Sequence, residues 1–110
     1  MKTLSRADEI LLLAILRLKD NAYGVTIKKE VHRSTGKKLT FGSIWVSLDI
    51  LNRRGYLRKH IADPIPQRKG RPKIYYTLTP TGIEALKKTR DLHESIWDGV
   101  SALIDKWKPS

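Results

Sequence analysis

Cysteine is absent from the 110 residues, which excludes disulfides, thiolate metal ligands and thiol nucleophiles together. Long apolar runs are also missing: the longest covers residues 10–16, whereas a helix that crosses a membrane needs about 20 apolar residues. Acidic residues are scarce, since 11 Asp and Glu stand against 22 Lys and Arg and leave a formal charge of +11. An imbalance of this size predicts a polyanionic partner.

Hydrophobic residues make up 40% of the sequence, which is enough for a packed core. The positive charge is therefore expected on a folded domain and not on a disordered basic tail. The length predicts one small domain. Asp8 and Glu9 interrupt the approach to the apolar run, so the start is unlike a secretory signal. The chain is expected to begin at Met1 and to work in the cytoplasm, associated with the nucleoid.

The excess charge is concentrated in the middle of the sequence. Between Lys28 and Lys73, 13 basic residues accompany only three acidic residues, a net charge of +10. The remaining residues together have a net charge of +1. The middle segment is therefore the predicted contact surface for the partner.

Three helices are predicted in the first half of the chain. Ser5 begins the first, which runs to about residue 18 or 19 and is apolar on more than one face, so that it needs more than one packing neighbour. The second helix ends at Gly36, and the third is capped by Thr40 and ends at Gly55. Trp45 lies in the apolar stripe of the third helix and is interpreted as a core residue.

After Gly55 the apolar residues alternate with polar ones, and this spacing predicts two short strands near residues 57–61 and 74–78. The connection between them, residues 62–73, is too long for a tight hairpin and has a net charge of +3. A long basic hairpin loop that follows a pair of helices is typical of a wing.

A long last helix is predicted from Thr79, its cap, with Pro80 at the first position, to about Trp107. Its apolar residues recur mostly at three-and-four spacing. A helix of about seven turns that extends from so small a domain needs an apolar partner. We therefore expect it to form the core of a twofold dimer.

Three helices followed by a two-stranded wing is the order of a winged helix-turn-helix, with residues 41–54 as the recognition helix. The predicted fold class is mainly α with a small β-hairpin, completed by a long C-terminal dimerisation helix. The +10 segment coincides with the second helix, the recognition helix and the wing. Lys and Arg near phosphates release condensed counterions, so this coincidence predicts binding to double-stranded DNA.

Base readout is assigned to the hydroxyls of Ser43 and Ser47 and to an apolar contact of Val46 with a thymine methyl group. The predicted DNA-binding residues are Lys28, Lys29, Thr40, Gly42, Ser43, Val46, Ser47, Arg53, Lys69, Arg71 and Lys73.

Four segments of the sequence are similar to those of a known family: Tyr23-Gly24 and residues 39–45, 48–57 and 70–82. On these segments, which span most of the chain, it resembles the PadR family of bacterial transcription regulators. The resemblance implies a dimeric DNA-binding repressor with a winged helix domain and, as in short members, a single C-terminal dimerisation helix. Trp45 replaces the tyrosine common at its position, so a hydroxyl contact to DNA from there is absent.

The resulting hypothesis is a sequence-specific DNA-binding transcriptional regulator, a repressor, that binds a pseudo-palindromic operator as a homodimer. Residues 1–79 are expected to form the DNA-binding domain and residues 80–110 the dimerisation helix. The residues predicted at the dimer interface are Leu12, Ile15, His93, Trp97, Val100, Ile104 and Trp107. For Trp97 two interpretations stay open: it fills the dimer interface, or, as the resemblance to short members implies, it lines a pocket for a small aromatic effector.

No enzymatic activity, cofactor or metal is predicted. No Ser-His-Asp order has a supporting nucleophile turn, and the acidic residues are dispersed. His32, His60 and His93 fall on three different predicted elements, so that they do not form a metal-binding pattern.

Two other functions remain open. One is a basic winged helix protein that binds RNA or the ribosome; the apolar stripe of the last helix argues against it. The other is an architectural DNA-binding protein of low specificity, which the small residues Gly42, Ser43 and Ser47 favour.

Overall fold

The computed structural model describes residues 3–62 and 73–109. The elements in chain order are α1 (Arg6–Leu18), a 3-10 turn (Lys19–Asn21), α2 (Gly24–Thr35), α3 (Phe41–Arg53), β1 (Leu57–Ile61), β2 (Ile74–Leu78), α4 (Pro80–Trp97) and α5 (Ser101–Asp105). The two strands pair antiparallel, with Leu57 opposite Leu78 and Ile61 opposite Ile74. The predicted fold class, mainly helical with one small hairpin, is confirmed.

Three helices begin at the hydroxyl residues that the sequence identified as caps. Ser5, Thr40 and Thr79 each accept a hydrogen bond from the backbone amide three residues later, at 3.1 Å in every case. Such a bond satisfies one of the amides that a helix start leaves without a partner. Thr79 also donates its hydroxyl hydrogen to the carbonyl of Gly55, so the start of α4 is held against the turn before β1.

The core lies between α1, α2, α3 and the inner side of the hairpin. The largest fully buried side chains are Leu12, Ile15, Ile27, Val31, Ile44, Leu48 and Leu51. Leu57 of β1 and Tyr76 of β2 close the core on the hairpin side. This arrangement fixes the orientation of α3, because its buried residues turn one side of the helix inward and leave the opposite side at the surface.

The last helix is not continuous, and the prediction of one helix from Thr79 to Trp107 is wrong in this respect. α4 ends at Trp97, and only Ser101–Asp105 forms helix beyond it. Gly99, between them, has φ +76°. Glycine adopts this left-handed conformation without a steric penalty and commonly ends helices.

The prediction for α1 in the dimer interface also needs correction. Leu12 and Ile15 are fully buried in the core of their own chain, so they are not accessible to a second subunit. The exposed apolar residues of α1 are instead Leu13 and Leu16. The sequence did not distinguish these pairs, because residues 10–16 are apolar on every side of the helix.

The C-terminal segment projects from the core. The described residues extend over 66 × 29 × 21 Å, and residues 101–109 are all exposed. Among the helices that the structure describes, none combines the length and apolar character that crossing a membrane would require.

Candidate nucleic-acid interface

The outer side of α3 is the centre of the candidate interface. Ile44, Leu48 and Leu51 turn inward, and Gly42 and Val46 lie on the surface opposite to them. A Cβ atom added to Gly42 would meet no other atom within 4 Å. The first two turns of α3 therefore present an open surface, and these are the turns that contact base edges when a recognition helix enters the major groove.

Ser43 and Ser47 lie on one flank of this surface. They line a cleft between α1, the end of α2 and α3, and two cationic residues, Arg6 and Lys37, line the same cleft. The side chain of Arg6, the first residue of α1, forms an ion pair with Glu9 on the next turn of the helix, at 3.4 Å. Arg6 is not among the residues predicted to bind DNA, because nothing in the local pattern of α1 indicates that its first residue lies beside α3.

Lys28 and Lys29 belong to α2, which lies next to the start of α3. The ammonium nitrogen of Lys28 is 4.4 Å from the centre of the Phe41 ring, a cation–π contact. Lys29 is exposed. The structure thus brings the charge of Lys28 to the N-terminal end of the recognition helix, where the DNA backbone would pass, whereas Lys29 lies on the solvent side of α2.

Lys73 lies at the base of the wing, just before β2. Its ammonium nitrogen is 4.4 Å from the centre of the Tyr23 ring, and Tyr23 contacts Tyr75 edge to face with ring centres 5.4 Å apart. These contacts hold the base of the wing against the start of α2. The other predicted wing residues, Lys69 and Arg71, lie outside the described residues.

Arg53, at the end of α3, forms an ion pair with Asp49 at 2.8 Å, and both side chains are exposed. An exposed pair of this kind contributes about 0–1 kcal/mol, so Arg53 remains available to a phosphate. Asp49 also acts on Tyr76: burial raises the pKa of the Tyr76 hydroxyl above its ordinary value, and the Asp49 carboxylate raises it further.

Trp45 is not a core residue, which corrects the interpretation from the sequence. It is 42% exposed, as is Phe41 four residues earlier. Its ring packs over Gly24, where an added Cβ would lie 3.4 Å from the Trp45 Cζ2 atom. The apolar stripe of α3 is wider than the side that the core covers, so its outer edge lies at the surface.

The predicted dimer residues of the C-terminal segment are mostly exposed. Trp97, Ile104 and Trp107 are between 52% and 72% exposed, as are two apolar residues that were not predicted at the interface, Ile96 and Leu103. Val100, Leu103, Ile104 and Trp107 surround one shallow concave surface, and Trp97 is not part of its lining. We name the C-terminal apolar surface the set of apolar residues Ile96, Trp97, Val100, Leu103, Ile104 and Trp107.

His93 differs from the other predicted interface residues of the C-terminal segment, because its side chain contacts α1 of its own chain. Its Nε2 atom is 3.3 Å from the Oε1 atom of Glu9, a buried residue of α1. His93 therefore links α4 to α1. Within the part of the chain that the structure describes, no group of three or more His, Asp and Glu residues is arranged to hold a metal ion.

Comparison with known proteins agrees with this geometry. The family model described as transcriptional regulator PadR-like matches residues 12–88, more than half of the chain. The comparison of this chain with curated proteins found no match.

Several solved structures share the fold. A PadR family transcription regulator from hypervirulent Clostridium difficile R20291 has 24% identity and a TM-score of 0.68, with 88% of this chain and 97% of that chain covered. A PadR-like transcriptional regulator from Bacillus cereus strain ATCC 14579 has 17% identity and a TM-score of 0.72, with 93% of each chain covered. A PadR family transcriptional regulator from Eggerthella lenta DSM 2243 has 20% identity and a TM-score of 0.68, with 93% and 86% covered.

Proposed function

Because the chain belongs to the PadR-like family of transcriptional regulators, we propose that it is a repressor that binds a pseudo-palindromic operator as a homodimer in the cytoplasm, associated with the nucleoid. Its general function, DNA-binding regulation of transcription and not enzymatic catalysis, follows from family membership. The finer statements rest on the surfaces described above.

The observation that supports specific DNA binding most directly is the position of charge around the open surface of α3. Lys28 from α2 contacts Phe41 at the start of α3, Arg53 lies at the end of α3, and Lys73 from the base of the wing contacts Tyr23, the residue before the one on which Trp45 packs. Each cation that neutralises a phosphate adds affinity that decreases with salt concentration. Phosphate contacts from several elements fix the orientation of a helix whose side chains then contact the bases.

The proposed division of labour assigns residues 1–79 to DNA binding and residues 80–110 to dimerisation. The C-terminal apolar surface supports the second assignment, since large apolar patches on soluble proteins usually mark an interface. Two copies paired about a twofold axis would place two recognition helices in successive major grooves, about 34 Å apart. An operator with inverted half-sites is the sequence counterpart of that symmetry.

The proposal is tested by measuring binding of the purified protein to the DNA upstream of its own gene and to random duplex of equal length, at about 150 mM salt. We expect at least about 1000-fold tighter binding to the specific site, as for other regulators. Equal affinity for both duplexes would instead indicate an architectural protein, and preference for structured RNA would indicate an RNA-binding one.

Phosphate contacts are tested separately through the salt dependence of binding. Lys29→Ala should weaken binding to specific and random duplex alike and reduce the slope of log K against log salt by about 2 per dimer, because each of the two subunits no longer neutralises one phosphate. Lys87→Ala is the matched control: Lys87 lies on α4 and forms an ion pair with Glu84 at 3.5 Å, and its substitution should leave the slope unchanged. An unchanged slope in Lys29→Ala would remove this residue from the interface.

Trp97 is the proposed contact for a small aromatic effector. It is 52% exposed at the end of α4, and a ring exposed next to a dimer interface offers a stacking surface for a flat ligand. In a Trp45→Phe, Trp107→Phe background, a flat aromatic dye such as acridine orange should quench the remaining tryptophan fluorescence. Without saturable quenching, Trp97 is assigned to the dimer interface only.

A further inference from the structure

We propose that Phe41, Trp45 and Val46 form one apolar readout surface on α3 that selects thymine through its 5-methyl group. This inference rests on the sequence-specific DNA binding proposed above and names the base that such binding selects. The sequence predicts a methyl contact for Val46 alone and a core position for Trp45. The structure adds the two aromatic rings.

The three side chains occupy the N-terminal half of the recognition helix and are all exposed. Phe41 and Trp45 are each 42% exposed and Val46 is 62% exposed. Phe41 and Trp45 are four residues apart and therefore lie next to each other on one flank of α3, with Val46 about a quarter-turn away. Gly42 lies between the rings and Val46, so no side chain prevents close approach of a base.

Contacts from α2 hold both aromatic rings in position. Lys28 places its ammonium nitrogen 4.4 Å from the centre of the Phe41 ring. The start of α2 packs against the Trp45 ring at Gly24, where an added Cβ would lie in van der Waals contact, 3.4 Å from the Trp45 Cζ2 atom. Rings that are already ordered lose little conformational entropy on binding, which favours their use in recognition.

The chemistry of this surface points to thymine. Apart from the 5-methyl group of thymine, the major-groove edges of the bases are identified by hydrogen-bond donors and acceptors. Phe41 and Val46 have no polar side-chain atom with which to pair those donors and acceptors, and Trp45 has only its indole N–H, a donor. The carboxylate of Asp49, on the next turn, is already paired with Arg53 at 2.8 Å. Apolar burial is therefore the main contact that Phe41, Trp45 and Val46 offer to a base, beside the hydroxyl of Ser43 on the other flank of α3.

The decisive experiment removes the methyl group without changing any hydrogen bond. Duplexes that bind the purified protein are first selected from a random library, and each thymine of the preferred site is then replaced in turn by uracil. We expect one to three uracil substitutions per half-site to weaken binding about fourfold each, which equals about 0.8 kcal/mol at 1.4 kcal/mol per tenfold change.

Variants connect the effect to these side chains. In Val46→Ala and Phe41→Ala, the uracil penalty should disappear at the thymine that the removed side chain contacts, while penalties at other thymines persist. At Trp45 the substitution is to phenylalanine, because a remaining aromatic ring preserves the packing against α2. Trp45→Phe should reduce the uracil penalty at the thymine that Trp45 contacts. Ile50→Ala is the matched control, because Ile50 is also exposed but lies in the C-terminal half of α3, and it should retain every penalty.

The outcomes separate this inference from the function on which it rests. A library that yields no preferred site overturns the proposed sequence-specific function and this inference with it. A preferred site that tolerates uracil at every position overturns the inference and leaves the function intact. Uracil penalties that survive unchanged in all three substitutions would also overturn it, since other residues would then contact the methyl groups.

Discussion

Gly82, in the first turn of α4, lies closer to the backbone of Tyr56 than any other residue type would allow. An added Cβ would be 2.3 Å from the Tyr56 carbonyl oxygen. A flexible side chain could move away from such a contact, but this oxygen belongs to the main chain just before β1. The two elements would therefore have to separate.

We predict that Gly82→Ala lowers the free energy of unfolding by about 2–4 kcal/mol, because overpacking against backbone forces a shift of whole elements. Urea unfolding followed by circular dichroism measures the change. Gly42→Ala is the matched control: no atom lies within 4 Å of its added Cβ, and alanine is favoured over glycine within a helix by up to about 1 kcal/mol. Equal destabilisation by both substitutions would contradict the explanation from close contact.

Tyr76 gives a prediction for alkaline pH. Burial, and then the Asp49 carboxylate, raise the pKa of its hydroxyl in the folded state, whereas in the unfolded chain the pKa is about 10. Below that value the hydroxyl is protonated in both states, so its contribution to stability is constant. As the pH rises past it, the unfolded chain releases the proton first, and stability decreases.

Wild-type protein should therefore lose more stability between about pH 9.5 and 11 than Tyr76→Phe, which has no proton to release there. Urea unfolding at a series of pH values tests this. Asp49→Asn should reduce the alkaline loss in part, since it removes the smaller of the two causes. Identical pH profiles for wild type and Tyr76→Phe would show that Tyr76 does not control the loss.

At the level of secondary structure, the N-terminal caps of α1, α3 and α4 were predictable, and the end of α4 was not predicted. A cap involves a hydroxyl and an amide three residues later, so Ser5, Thr40 and Thr79 were identifiable from the sequence alone. The break at Gly99 also had a local signal, a glycine within a helical pattern. The apolar spacing on both sides of Gly99 outweighed that signal in the prediction.

The caps are expected to differ in strength. Thr79 accepts from the Gly82 amide and also donates to the Gly55 carbonyl, whereas Thr40 only caps its helix. Thr79→Ala should cost about 1.5–3 kcal/mol of unfolding free energy and Thr40→Ala about 1 kcal/mol. Urea unfolding of both variants compares them directly. If the two costs are equal, the bond to Gly55 contributes nothing to stability.

For the whole molecule, the C-terminal apolar surface determines the proposed assembly. Ile104→Glu places a charge among apolar residues, and a buried unpaired charge is strongly unfavourable. We expect the variant to sediment as a monomer at concentrations where the wild-type protein is a dimer, and to bind a full operator at least about 10-fold more weakly.

Ile61→Glu is the matched control for this experiment. Ile61 has the same 57% exposure as Ile104 but belongs to β1 in the hairpin, so its substitution should leave the sedimentation unchanged. A wild-type protein that sediments as a monomer would contradict the dimer itself and would favour the RNA-binding alternative.

The sequence by itself determined the order of the elements, the starts of three helices and the concentration of positive charge around the recognition helix. These properties depend on residues close together in the chain: a cap, an apolar spacing, a run of lysines and arginines. They were sufficient to predict a winged helix fold and DNA as the partner.

Only the tertiary structure decided which apolar residues remain at the surface. An apolar stripe shows that a helix has a side to bury, but the width of the buried part depends on the elements that pack against it. For this reason Leu12 and Ile15 lie in the core and not at an interface, and Trp45 lies beside Phe41 on the outside of α3. Arg6 reaches the cleft beside Ser43 for the same reason, since distant segments become neighbours only when the core forms.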